Sequence, residues 1–153
     1  MSRWFTYGEF VKSAKADRLG IDNVPVDETI QDNIIELMRV LDGVREGWTV
    51  KCKENYWGNA AIVVNSGYRC DALNKALGGS DTSAHRIGSA ADIEPVNGRN
   101  REFLRFVEQY LLDNHIAFDQ LISEKPVNGV PSWIHLGLKN CDGKQRRMVF
   151  TIK

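Results

Sequence analysis

Long apolar runs are missing from this 153-residue chain, and so is any excess of one charge sign. No stretch approaches the ~20 apolar residues that cross a bilayer, so no membrane span is expected. Twenty Lys and Arg offset twenty Asp and Glu. With no net charge, no global field draws the protein to nucleic acid or anionic lipid, and neither is expected as a partner. Cysteine is scarce: Cys52, Cys70 and Cys141 are odd in number, far apart and in no CxxC pair. That excludes a disulfide framework and leaves reduced, mostly buried thiols. Internal repeats, low-complexity tracts and long linkers are absent too, which suits one domain over residues 1–153. The opening segment, MSRWFTYGEFVKSAKADRLG, lacks the apolar core of a signal peptide. Synthesis in the cytoplasm is the expectation, with action elsewhere following release.

What is present reads as helices first and pairing strands last. FTYGEFVKSAKADRLGIDNVP suggests one short helix and a loop ending at Pro25. Asp27 is placed to cap the next helix, and Ile30, Ile34, Leu37, Met38, Leu41 and Val44 give it one apolar stripe. Its end is expected near Gly47. WTVKCKENYWGNAAIVVNSGYR then reads as two β-rich runs around a turn. DALNKAL suggests a short helix stopped by Gly78 and Gly79, and Asn100 is placed to cap a helix carrying Phe103, Phe106, Val107, Tyr110 and Leu111. AFDQLISE, SWIHLGL and RMVFTI suggest three strands in an antiparallel meander. The class is α+β, with helices packed on a small antiparallel sheet.

Histidine is also rare, and two of the three stand in suggestive places. His85 and Asp92, in SAHRIGSAADIEP, are seven positions apart. On a helix that spacing rises roughly 10 Å, too far for two ligands of one ion, which lie about 4 Å apart. Only a chain that folds back can join them, and Gly88 followed by small residues permits such a turn. Taken alone, the pair reads as a loop histidine and a strand-end aspartate, and a third ligand is needed. His135, within SWIHLGL, alternates with Ile134 and Leu136 and alone reads as a core histidine.

The three motifs SGYR, SAHRIGSAAD and WIH, in that order and with FDQLISE before the last, resemble the zinc D-Ala-D-Ala carboxypeptidases of peptidase family M15. The likeness is greatest to the compact branch found in phage and bacterial peptidoglycan peptidases, and FTYGEFVKSAKADRLGIDN is similar to the start of that domain. The resemblance implies the zinc peptidase fold shared by these enzymes and Hedgehog signalling domains. It implies one Zn2+ held by His85, Asp92 and His135, leaving an open fourth position as in catalytic zinc sites. It makes Glu124 the general base, because Ser132 stands where part of the family has an acidic residue. KPVNGVPS, between Glu124 and Trp133, is longer than in that branch, and its Pro, Asn and Gly suit a hairpin loop.

Arg69 corresponds to the family arginine of the substrate site, suited to a carboxylate or a developing oxyanion. Ser83 matches a serine that contacts substrate, and Trp133 is placed either to shape the cleft or to fill the core. Asp81 is a weaker candidate, while His115, Cys52 and Cys70 are expected to be structural. The implied activity is hydrolysis of peptidoglycan stem peptides, as a D,D-carboxypeptidase or an endolysin-type endopeptidase, by a monomer. Glu124 would take the proton of the attacking water and return it to the leaving amine. With no export signal, access to the wall would come through lysis or injection, which suits a phage or prophage origin. The competing reading is a non-catalytic relative that keeps zinc and serves as a wall-binding or virion module.

Overall fold

The computed structural model describes residues 2–153. Where one N-terminal helix is expected there are two, α1 (Tyr7–Val11) and α2 (Ala14–Leu19). The break falls at Lys12 and Ser13, both extended, because the Ser13 hydroxyl accepts from Ala16 N–H at 3.1 Å and starts a new helix. Helix α3 (Glu28–Asn55) begins as anticipated, with Asp27 Oδ1 accepting from Thr29 and Ile30 N–H.

It does not stop at Gly47. WTVKCKE continues the helix, so the first of the two expected β-runs does not exist. The stripe simply extends, Val44 to Trp48 to Cys52, all buried. Trp48 packs edge-on against Phe103 with ring centroids 5.1 Å apart, and this aromatic packing outweighs the β-propensity of Trp, Thr and Val. Gly47 is a point of close approach, since a Cβ there would lie 2.8 Å from Phe106 Cζ. The helix ends instead at Tyr56, in the left-handed conformation.

Strand β1 (Ile62–Ser66), helix α4 (Asp71–Ala76), a 3₁₀ turn (Ala84–Ile87) and β2 (Ala90–Pro95) follow, then α5 (Asn100–Asp113). Asn100 does not cap α5, because Arg99 occupies that position and Asn100 is the first helical residue. Its buried side chain donates to the Pro131 and Ser132 carbonyls, tying α5 to the loop before the fourth strand. The chain closes with β3 (Gln120–Glu124), β4 (Trp133–Gly137) and β5 (Met148–Ile152). The architecture is α+β, as expected.

The five strands lie in the order β1-β2-β4-β3-β5. The first four pair antiparallel, but β5 runs parallel to β3, so the sheet is mixed and the C-terminal strands form no meander. The reason sits at the start of β3. Asp119 receives Arg146 Nε at 2.8 Å and Nη2 at 2.9 Å, and Met148 N–H donates to the Asp119 carbonyl. The head of β5 is thereby pinned beside the head of β3.

The period of two along the strands separates two environments. Ala91, Ile93, Leu121, Ile134 and Leu136 are fully buried against Leu41, Val44, Trp48, Phe103 and Val107 of α3 and α5. Each such larger side chain contributes ~1.5–3 kcal/mol by leaving water. Their alternates, Asp92, Ile122, Glu124, Trp133 and His135, occupy the opposite face. Among the described residues, no helix is long and apolar enough to cross a membrane.

Candidate metal centre and surrounding cleft

Asp92 and His135 are direct partners across β2 and β4, so both side chains rise from the same face of the sheet. His85 arrives from the 3₁₀ turn, and the fold-back takes place at Gly88, whose φ is +75°. A side chain there would also lie 2.9 Å from the Ile30 carbonyl oxygen, so only glycine lets the turn rest on α3. The result is a compact trio: His135 Nδ1 is 3.1 Å and His85 Nε2 3.4 Å from Asp92 Oδ1. One donor atom from each residue lies within 4.8 Å of the others.

The chemistry of the trio fits a cation. His85 Nδ1 lies 2.7 Å from the Gly67 carbonyl, which can only accept, so this nitrogen carries the proton. The Nε2 lone pair therefore faces a carboxylate oxygen with no hydrogen between them. Burial depresses the pKa of His85, which disfavours a second proton as the remedy. Burial also works to raise Asp92, but its close contacts with the His135 and His85 rings overcome it and hold the carboxyl far below its usual range. An anionic oxygen opposite a lone pair is the donor arrangement of a metal site, and His₂Asp is one that zinc accepts. His135 Nε2, on the far side of the ring, is buried without a hydrogen-bond partner.

Around the trio, Arg69 donates from Nη2 to Asp92 Oδ2 at 3.2 Å and from Nε to Ser66 Oγ at 3.0 Å. The second contact depends on a β-bulge at Asn65, which puts Ser66 level with Asp92. Ser83 caps the 3₁₀ turn, its hydroxyl accepting from His85 N–H at 3.3 Å. Glu124 stands opposite Trp133 on the strand pair, two residue pairs beyond Ile122 and His135 and so on the same face. Burial, reinforced by the nearby negative charge of Asp92, raises its pKa above the ordinary glutamate value. The long loop before β4 leaves this register intact, because it folds as an extension of the hairpin. Val127 and Val130 pair within it, and Asn128 and Gly129 take left-handed turns.

One cavity of about 500 Å³ is lined by all seven residues singled out in the sequence: Arg69, Ser83, His85, Asp92, Glu124, Trp133 and His135. Asp81 and His115 do not line it; both are exposed, and His115 is a left-handed residue just after the Asn114 cap of α5. Cys52 is buried and Cys70 half-buried, whereas Cys141 is exposed, with its thiol 3.3 Å from the Thr82 carbonyl. Reading the sequence missed Thr82, Asn140 and Arg146 on the cavity wall. A buried acid in AFDQL implies a basic partner somewhere, and that was the available signal for Arg146.

No curated protein matches the chain. A family model described as Peptidase M15 matches residues 3–120, which include Arg69, His85 and Asp92. Glu124, Trp133 and His135 lie beyond the matched segment and reach the site through strand pairing. On that match, over most of its length, the chain belongs to the peptidase M15 family, a group of zinc-dependent metallopeptidases acting on peptides.

Proposed function

We propose that this protein hydrolyses peptide bonds in peptidoglycan stem peptides, with the whole chain acting as one zinc peptidase domain. The observation that carries the reading is the common face shared by Asp92, His135 and Glu124, closed by His85 and Arg69 around one cavity. His85, Asp92 and His135 would hold the ion, through the atoms that already face one another, His85 Nε2, Asp92 Oδ1 and His135 Nδ1. When bound, zinc supplies Lewis acidity, activating water near neutral pH and polarising the scissile carbonyl.

The chain's own residues do the rest. Glu124, ionised, takes a proton from the attacking water and delivers it to the leaving amine. Its raised proton affinity suits a group that must both accept and release within one turnover. Arg69 keeps one guanidinium edge on Asp92 and Ser66 and offers its remaining N–H groups to a substrate carboxylate or the carbonyl oxygen. Ser83 and Trp133 line the wall against which the peptide lies. The bond cut is either the terminal D-Ala–D-Ala bond or an internal one.

Glu124→Gln tests the assignment. Zinc content is expected to stay at the wild-type level, while kcat on purified stem peptides falls by about 10²–10⁴. Mass spectrometry of the fragments reports which bond is cut. Undiminished hydrolysis by Glu124→Gln would remove Glu124 from the mechanism, and no hydrolysis by the zinc-loaded wild type would refute the substrate class.

A further inference from the structure

The mechanism leaves Asn23 unused, yet it is one of the few buried polar side chains far from the cavity floor in sequence. It lies in the loop between α2 and α3, only 6% exposed, and makes all three of its side-chain hydrogen bonds to backbone. Nδ2 donates to the Val11 carbonyl at 2.8 Å and to the Tyr68 carbonyl at 2.9 Å. Oδ1 accepts from Cys70 N–H at 2.8 Å. Two of these three partners are the immediate chain neighbours of Arg69.

The same short segment is held from its other sides. Tyr68 N–H donates to the Phe10 carbonyl and Arg69 N–H to the His85 carbonyl, while the Gly67 carbonyl accepts from His85 Nδ1. Between β1 and α4 the chain has no ladder of its own, so these bonds help decide where the Arg69 side chain leaves the backbone. Asn23 supplies both that flank it. Asp at this position would lose both donated bonds, and a longer or apolar side chain would leave the Tyr68 carbonyl and Cys70 N–H unpaired.

We propose that Asn23 is a positioning residue for Arg69, fixing the guanidinium over Asp92 and the cavity from outside the site. The claim rests on the reading of Arg69 as the substrate-binding arginine, and its test separates the two. Arg69 Nε–H is bonded to Ser66 Oγ, so in the wild type it should give a slowly exchanging ¹H–¹⁵N resonance, assigned by its absence in Arg69→Lys. In Asn23→Ala that resonance is expected to be lost to exchange with water. On stem peptides, kcat/KM should fall by about 10–100-fold, the scale of lost outer-sphere support or of a ~1 Å misplacement. In the Arg69→Lys background the same change should cost no more than about 2-fold, because its route of action is already gone.

A folded Asn23→Ala protein that keeps the resonance overturns the proposal, as does an equal loss of kcat/KM in both backgrounds. Should Asn23→Ala fail to fold, Asn23→Asp, which keeps the acceptor for Cys70, carries the same measurements. If neither folds, Asn23 is a folding residue and the proposal falls. Full activity in Arg69→Lys would refute the role given to Arg69 instead, and the resonance would still report on Asn23.

Discussion

Gly67→Ala should damage the candidate metal centre without touching any of its three candidate ligands. A Cβ on Gly67 would lie 2.8 Å from Phe10 Cα and 2.9 Å from its carbonyl carbon, and closer still to its carbonyl oxygen. These are backbone atoms beside a fully buried side chain, so no flexible end can swing aside. Ordinary contact between such atoms begins near ~3.5 Å, and the segment must therefore retreat by ~0.7 Å or more. Overpacking of this kind costs about 1–3 kcal/mol, which in a chain this long lowers Tm by about 2–12 °C. The retreat also carries away the Gly67 carbonyl, whose bond to His85 Nδ1 aims Nε2 at Asp92. Losing such support weakens metal binding by about 10–100-fold. Thermal melts of metal-free protein give the first number, and competition against a chromophoric chelator gives the second. Wild-type zinc affinity in Gly67→Ala would refute the reasoning, because the tautomer of His85 is argued from that one contact.

Two glycines of α3 should respond differently to alanine. Gly47→Ala drives a methyl into Phe106, which is wedged between Trp48 and Tyr110, and is expected to lose about 1–2 kcal/mol net of the helix-propensity gain. Gly43→Ala meets the hydroxyl end of the half-buried Tyr110, which can swing outward, so its melt should stay within about 1 kcal/mol of wild type. Asp119 predicts a pH effect. Its pair with Arg146 holds the folded-state pKa below the unfolded 3.8, so the stability it contributes is present above that value. That contribution is lost as pH falls through the lower folded value. Urea titrations below pH 4 should show this loss in wild type and a smaller one in Asp119→Asn.

The three candidate ligands each carry a local mark in the sequence. His85 and Asp92 need a fold-back, and Gly88 announces it; His135 alternates with the apolar Ile134 and Leu136. Their convergence was not legible from spacing, since it depends on β2 and β4 becoming neighbours, and only the family resemblance supplied it. The full length of α3 is written in the buried series Val44, Trp48 and Cys52, but Gly47 has the look of a stop signal in the sequence and is in the fold a gap filled by Phe106. The direction of β5 could not be read at all. An isolated strand carries no mark of parallel or antiparallel pairing, and the Asp119–Arg146 contact that decides it joins residues 27 apart. Asn100 shows a similar limit, because its side chain serves a distant loop in place of its own helix.

Metal content tests the central claim most directly. Wild-type protein loaded with zinc and passed through a desalting column should retain one zinc per chain by elemental analysis, and His135→Ala should retain almost none. A wild type without stoichiometric metal, or a His135→Ala protein that keeps its full complement, would contradict the account.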